Sequence, residues 1–303
     1  MSYAGFNCVI LNTAGTVLGG ISAPDYNRRE KQAPLGSDNL PLQSGSSVIQ
    51  AAPKFSFSTI AVRALNASIG AYAWLPFLAL DNANGIKFIG LIPATNGPGW
   101  AVGTVHPQRA ALNGDLYIKG LKWSIGDVLK ADVEVFPFAI AGAGATDPTT
   151  NTLIAAPTLP INTEQLTLDT ATIGGVAVNN VTDTDISIDH KGENNDPPVT
   201  HNSGLPYPVA TQKAGLGGAA EILLTITTTD LVTVFANGAA VLTFNVLNAL
   251  GVGQAATGLT VTFNGTIVRD SDLKGDVGTP GKRQILIRGT YNGTTLPMTM
   301  ANF

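Results

Sequence analysis

Apolar and polar residues alternate strictly over residues 181–189, Val-Thr-Asp-Thr-Asp-Ile-Ser-Ile-Asp. This pattern predicts a strand with one apolar and one acidic face, because successive strand residues point to opposite faces. A second strand is predicted at 221–228, and a polar stretch rich in Gly, Pro and Asn separates the two strands. Loops longer than about 12–15 residues are usually functional or disordered. We therefore interpret residues 191–218 as an arm that contacts a neighbouring subunit.

Similar short runs along the rest of the chain predict a mainly β (α+β) fold. Further strands are expected at 6–21 (a hairpin), 54–65, 86–92, 115–121, 128–138, 240–246, 259–264, 284–288 and 296–300, and strand signals resume at Leu166 and Ile173 with a turn at 174–175. Short helices are predicted after a cap at Asn66 or Ser68, and at 231–235 after Asp230. The proline-containing stretch 22–53 is interpreted as a second polar arm, and 95–113 as a loop.

The two halves of the chain follow a similar order of predicted elements. Each has early strands, a long polar arm, a strand, a short helix and then further strands, which suggests an internal duplication of one α+β unit. The predicted domains are residues 1–140 and 166–303, joined by a Gly/Ala/Pro-rich linker at 141–165. The two halves share little residue identity, so the hypothesis depends on element order and spacing. Any long β-rich chain could be cut into two strings that look alike in this way.

Composition points to a protein that assembles with other protein subunits. Only 13% of the residues are charged, against about one quarter in a typical soluble domain, and charge is depleted at the cores of interfaces. A net charge of −4 argues against nucleic-acid binding by phosphate neutralisation. Cys8 is the only cysteine, which excludes an intrachain disulfide. Neither a signal peptide nor a membrane-spanning segment is predicted, and a cytoplasmic site of synthesis is expected.

The sequence lacks the common catalytic motifs, so we expect no enzyme, no cofactor and no metal site. A P-loop, a G-x-S-x-G elbow and an H-E-x-x-H motif are all absent. The three histidines, His106, His190 and His201, form no ligand spacing and are expected to be structural or solvated. The acidic stretch 269–276 loosely suggests a calcium loop but lacks the EF-hand spacing, which favours a solvated turn.

Three carboxylates share the polar face of the strand at 181–189, namely Asp183, Asp185 and Asp189. One interpretation is an ordinary solvated sheet face. The other is an acidic wall that faces a channel, where like charge would repel DNA phosphates and let a duplex slide.

Several of these stretches together resemble the tail tube proteins of long-tailed bacteriophages. They are Ile173-Gly-Gly-Val-Ala-Val178, the strand at 181–189, the arm with Tyr207-Pro-Val-Ala-Thr211, the strand and short helix after Ile222, and Leu259-Thr-Val-Thr-Phe-Asn-Gly-Thr-Ile-Val268. The resemblance implies β-sandwich or barrel domains, each with a flanking helix and a long loop that reaches the adjacent ring. It also implies rings closed by joined sheets, and a hollow tube of stacked rings that delivers DNA. Some such proteins resemble tandem duplications, with three chains to a ring.

The same resemblance implies partners, a location and arm residues. The partners would be further copies of the chain, a tape measure protein, a tail tip or baseplate initiator and a terminator, with DNA passing through the lumen and no membrane. The protein would assemble in the host cytoplasm and reside in the virion tail. The residues expected in the inter-ring arms are Arg28, Arg29, Lys31, His201, Tyr207 and Lys213.

Two other classes of protein remain open from the sequence. One is another phage or surface β-protein, such as a capsid decoration protein, a fibre or an adhesin. The other is a carbohydrate-active enzyme or lectin, which would place paired carboxylates beside exposed tryptophans. Trp74, Trp100 and Trp123 stand apart from the Asp clusters in sequence, although folding could bring them together.

Overall fold

The structure of the protein is a computed structural model that describes part of the chain. The described residues are 6–11, 16–18, 20–27, 30–35, 45–51, 53–69, 89–93, 105–111, 114–137, 149–155, 165–189, 221–247, 257–273, 281–290 and 294–302. Within these ranges the chain is mainly β, its strand pairs are antiparallel, and one α-helix is present. The predicted mainly β fold class is therefore confirmed.

The N-terminal half contains eleven described strands and the helix. They are β1 (Phe6–Leu11), β2 (Thr16–Leu18), β3 (Ile21–Asn27), β4 (Glu30–Leu35), β5 (Gly45–Ala51), β6 (Lys54–Thr59), α1 (Val62–Ile69), β7 (Ile89–Pro93), β8 (Val105–Ala111), β9 (Gly114–Ser124), β10 (Lys130–Pro137) and β11 (Thr149–Ala155).

The C-terminal half contains nine described strands. They are β12 (Leu166–Ile173), β13 (Val176–Ala177), β14 (Val181–Asp189), β15 (Glu221–Thr228), β16 (Ala240–Val246), β17 (Thr257–Phe263), β18 (Gly265–Leu273), β19 (Lys282–Gly289) and β20 (Met298–Asn302).

An eight-stranded sheet runs through both halves of the chain in the order β18-β19-β15-β14-β9-β10-β6-β3. Each half adds a five-stranded sheet, which we call the N-terminal sheet (β11-β8-β7-β1-β2) and the C-terminal sheet (β13-β12-β16-β17-β20). β4 and β5 pair separately as a hairpin.

The core lies between the eight-stranded sheet and the C-terminal sheet. Alternation along each strand turns one apolar face inward, as in β15, where every second residue from Ile222 to Thr228 is buried. The C-terminal sheet contributes large side chains, of which Phe244 and Phe263 are fully buried. Because side chains from both sheets belong to one continuous buried cluster, the two sheets form a sandwich.

The same strand order occurs twice in the eight-stranded sheet. The C-terminal half contributes β18-β19-β15-β14, and the N-terminal half contributes β9-β10-β6-β3. Numbered by their occurrence along each half, the two sets of four strands have the same order. The two five-stranded sheets match as well, since β2-β1-β7-β8-β11 corresponds to β13-β12-β16-β17-β20. Each described strand of the C-terminal half therefore has a counterpart in the N-terminal half.

Both helix predictions differ from the structure. α1 begins at Val62, directly after β6, because Val62 and Leu65 are buried one turn apart on its inner side. The predicted helix continuation at 70–75 lies outside the described residues. The predicted helix at 231–235 is wrong, since the segment between β15 and β16 is irregular. Its β-branched Val232 and Val234 point to solvent, so packing does not offset their weak helix propensity.

Three stretches predicted to lack regular structure contain strands. The proposed arm at 22–53 includes most of β3, which belongs to the eight-stranded sheet, and the β4–β5 hairpin. The proposed loop at 95–113 contains β8, and the proposed linker at 141–165 contains β11, which pairs with β8. Composition was misleading here, because Pro107 in β8 and the threonines of β11 suggest a loop when pairing partners are unknown.

Candidate assembly interface

The two halves are joined within the chain by antiparallel pairing of β9 with β14. The register runs from Asp183 opposite Ser124 to Ser187 opposite Gly120. A Cβ atom at Gly120 would lie 2.8 Å from the carbonyl oxygen of Ile186. A side chain at position 120 would therefore force the backbone of β14 to shift, which favours glycine there.

A row of polar side chains crosses this junction on the face of the sheet opposite the core. Asp185 lies in register with Lys122, and the Lys122 Nζ is 3.6 Å from the Asp132 carboxylate. The hydroxyl of Ser58 donates to the same carboxylate. Burial raises the pKa of Asp185 and the nearby Asp132 adds to the effect, while Lys122 opposes it. The junction therefore carries charges of both signs.

On the core side of the junction, β12 of the C-terminal half contacts the β9–β10 hairpin of the N-terminal half. The Trp123 indole nitrogen donates to the Thr167 hydroxyl at 3.2 Å. The amide of Leu129 donates to the carbonyl of Leu166 at 2.8 Å. The C-terminal sheet thus covers part of the N-terminal half as well as its own half.

The helix α1 is held by the last strand of the chain. Asn66 Nδ2 donates to Asn302 Oδ1 at 2.8 Å, and Asn302 Nδ2 donates to the carbonyl oxygen of Arg63 at 3.0 Å. This contact also joins the two halves, since α1 follows β6 and Asn302 ends β20.

The connections before β3 and β14 have matching backbone geometry. Gly20 has φ 59° and Asn180 has φ 52°, both in the left-handed region. The Gly20 carbonyl accepts from the amide of Ile60 at 3.3 Å, and the Asn180 carbonyl accepts from the amide of Thr229 at 3.2 Å. Glycine and asparagine tolerate this conformation best. The match between the halves therefore extends from strand order to individual hydrogen bonds.

The ends of β6 and β15 also match. The Thr59 hydroxyl accepts from the amide of Ala61 at 3.0 Å, and the Thr228 hydroxyl accepts from the amide of Asp230 at 2.9 Å. Thr59 and Thr228 are both buried. Aligning Thr59 with Thr228 therefore gives the residue-by-residue correspondence between the two halves.

The eight-stranded sheet ends in two edge strands, β3 and β18. β3 is the counterpart of β14, and β18 is the counterpart of β9, so the edges correspond to the two strands that form the junction inside the chain. Among the described residues, no strand pairs with the outer side of either edge. An exposed edge is a template for pairing with another chain.

The segment 229–239, which follows β15, is organised by two charged side chains. Asp230 accepts hydrogen bonds from the amides of Val232 and Thr233 and from the Thr233 hydroxyl, the last at 2.7 Å. These bonds, led by the one from the Thr233 hydroxyl, lower the pKa of Asp230 to about 2. The buried Arg283 forms a bidentate ion pair with Asp270 and donates to the Thr233 carbonyl at 2.6 Å. The segment is thus ordered although it is not helical.

The same segment exposes apolar side chains. Leu231 is 45% exposed, Val232 is 87% exposed and Val234 is 85% exposed. Phe235, in contrast, is buried beneath the Arg283 guanidinium, which lies 5.2 Å from the ring centroid. Three apolar side chains within four residues are therefore at least 45% exposed.

The predicted lumen residues Asp183, Asp185 and Asp189 lie together on the face of β14 opposite the core, as the alternation predicted. That face also carries cations within the described residues. Besides the Lys122–Asp132 pair it has the ion pairs Lys54–Glu134 and Arg288–Glu221. The sequence identified the carboxylates, but not the cations that neighbouring strands bring to the same face.

Most of the predicted arm residues lie outside the described residues, namely Arg28, Arg29, His201, Tyr207 and Lys213. Lys31 belongs to β4 and is in register with Gln50 of β5. The structure therefore does not bring these six positions together in one described site. The pairing of β9 with β14 was missed, because strand pairing between distant segments leaves no local signal in one sequence.

Other kinds of site find little support in the described part of the chain. No group of three or more His, Cys, Asp or Glu side chains there could hold a metal ion. The stretch 269–276, for which a solvated turn was favoured over a calcium loop, instead lies in β18 as far as Leu273, and Asp270 is the partner of Arg283 there. Trp123 is buried, whereas Trp74 and Trp100 lie outside the described residues. As for membranes, none of the described helical segments has the length and apolar character of a span.

No protein-family model matches this chain, and no curated protein matches it.

Proposed function

We propose that this protein is a structural subunit whose copies join head to tail into a closed ring, and that such rings stack into a hollow tube like a phage tail tube. One observation carries the proposal. The chain already contains one β9–β14 junction between two halves of equal strand order, and the two strands at the edges of the described eight-stranded sheet are the counterparts of β9 and β14. A head-to-tail contact that repeats around an axis closes into a ring.

The junction inside the chain predicts the register between copies. Asn27 pairs with Lys54, which lies five residues before Thr59 in β6. Ser187 pairs with Leu223, which lies five residues before Thr228 in β15. Asn27 is therefore the counterpart of Ser187.

Comparing the pairing registers in the same way relates β18, at the opposite edge of the sheet, to β9. Gly120 pairs with Asp132, and Ser271 pairs with Gln284, at matching positions. Since Ser187 lies opposite Gly120, Asn27 of one copy should lie opposite Ser271 of the next. Ser271 of β18 thus takes the place of Gly120 of β9. The bulge of β18 lies farther along the strand, between Ile267 and Arg269.

Cysteine pairing tests this register directly. In a Cys8→Ser background, Asn27→Cys combined with Ser271→Cys should form disulfides between copies, because directly opposed strand residues have Cα separations within disulfide reach. Oxidation should give a ladder that ends in a closed ring species on a non-reducing gel. The matched control is Asn27→Cys with Arg269→Cys, which lies on the same face and two positions beyond Ser271 along β18 and should cross-link far less. Equal cross-linking of both pairs, or of neither, would contradict the proposed closure.

Electron microscopy of the concentrated protein tests the tube. The proposal, with the resemblance to tandem tail tube proteins, expects three chains and six halves per ring, and rings that stack. Six chains per ring would contradict the view that each chain supplies two ring positions. Dispersed particles together with a negative cross-linking result would favour a decoration protein instead.

The face of the eight-stranded sheet opposite the core is the proposed wall of the lumen. It combines Asp183, Asp185 and Asp189 with ion pairs such as Arg288–Glu221, so its cations are largely matched by carboxylates. A wall of matched charges gives DNA phosphates little net attraction. Such a wall supports passage of a duplex without specific binding.

A further inference from the structure

The two halves differ in the segment that follows β6 and β15. After β6 the chain forms α1, whose Val62 and Leu65 are buried. After β15 the counterpart segment leaves Val232 and Val234 exposed. Counting from the matching threonines that end β6 and β15, Val232 is the counterpart of Arg63. Val232 lies three positions before the buried Phe235.

Inside the chain, the segment after β6 is covered by the end of a strand from the other half. Asn302, at the end of β20, contacts Arg63 and Asn66 of α1. If the halves repeat around a ring, the segment after β15 meets the counterpart of β20 from the next copy. That counterpart is β11, which ends the N-terminal sheet as β20 ends the C-terminal sheet.

The registers relate β11 to β20 residue by residue. β11 pairs with β8 from Thr149 opposite Ala111, and β20 pairs with β17 from Met298 opposite Phe263. The fifth residue of β20 is Asn302, and the fifth residue of β11 is Leu153. The polar contact of Asn302 with α1 would thus become an apolar one between copies.

We propose that the exposed segment Leu231–Val234 is the docking site for the C-terminal end of β11 from a second copy of this chain. That end reads Leu153-Ile-Ala155, which is chemically complementary to the exposed valines. The inference rests on the proposed head-to-tail ring, and it explains why an ordered segment keeps two valines in water in the single chain. Docking buries the two valines, and β11 then covers this segment as β20 covers α1.

Cross-linking with a short bis-maleimide reagent tests this contact. In a Cys8→Ser background, Val232→Cys with Leu153→Cys should cross-link between copies when rings form. The control is Val232→Cys with Thr149→Cys, which moves the partner four residues along the same strand and should cross-link weakly.

The Asn27–Ser271 disulfide separates the two proposals. If that disulfide forms while the Val232–Leu153 pair fails to react, the ring closes as proposed and the docking inference is overturned. If neither pair reacts, both proposals fail. Selective reaction of the Val232–Leu153 pair supports the docking site.

A charge test gives a second measurement. Val232→Asp with Val234→Asp should raise the concentration needed for ring assembly by roughly tenfold or more, since two apolar side chains would no longer be buried. Ile125→Asp places a charge on another exposed apolar residue, 71% exposed in the β9–β10 turn, and should change this concentration little. An equal effect of both changes would overturn the docking inference.

Discussion

Asn302 Nδ2 donates a 3.0 Å hydrogen bond to the carbonyl oxygen of Arg63, 239 positions earlier in the chain. The carbonyl oxygen of the same asparagine side chain accepts from Asn66 Nδ2 at 2.8 Å. One side chain near the C-terminus therefore holds the helix of the N-terminal half. Together with the β9–β14 pairing, this contact makes the two halves depend on each other for stability.

Replacing Asn302 should weaken this connection. Asn302→Ala removes both hydrogen bonds and leaves the buried Asn66 without this acceptor, so we expect a loss of about 1–2 kcal/mol in the free energy of unfolding. Urea denaturation followed by circular dichroism measures the change. Ala301→Ser, at the exposed neighbouring position, should be within about 0.5 kcal/mol of the unmodified protein. Equal stabilities of the two variants would show that the Asn302 contact contributes nothing.

The left-handed backbone at Asn180 leads to a prediction with its own internal control. At φ 52°, a β-branched residue is strained, so Asn180→Val should destabilise the protein by about 1–2 kcal/mol. Asn180→Gly should retain or raise stability, because the counterpart Gly20 adopts the same conformation with φ 59°. Thermal unfolding of the two variants checks the order. A valine variant as stable as the glycine variant would contradict the left-handed conformation.

The sequence predicts local structure well where alternation is strong. β14 and β15 were identified from their patterns, because one buried face imposes a period of two on a strand. The three carboxylates of β14 were assigned to one face for the same reason. β8 and β11 were missed because their polar and proline-containing sequences form strands only through pairing with each other.

The junction that carries the proposed function could not be derived from the sequence. Ile186 and Leu121 are opposite each other, yet nothing local to either residue specifies a partner so far away in the chain. After β15, by contrast, the sequence predicted a helix that the segment does not form. Asp230 is a good helix cap, and it does accept amide hydrogen bonds, but the residues that follow lack a buried face on which a helix could pack.

Asp230 should make stability depend on pH in the acid range. Its pKa is lowered to about 2 from a usual value near 3.8, so the unfolded chain binds a proton more readily than the folded one. The contribution of its ionised form is therefore complete above about pH 4 and is lost as the pH falls towards 2. Asp230→Asn lacks this contribution at every pH.

Urea denaturation at pH 6 and at pH 2.5 measures this dependence. The unmodified protein should exceed the Asp230→Asn variant clearly in stability at pH 6. The gap should narrow at pH 2.5, because Asp230 is then largely protonated in the unfolded chain but still mostly ionised in the folded one, which favours unfolding. Asp169→Asn removes the same charge from an exposed position on β12 and serves as the control. A gap that is the same at both pH values would mean that the hydrogen bonds to Asp230 do not favour its ionised form.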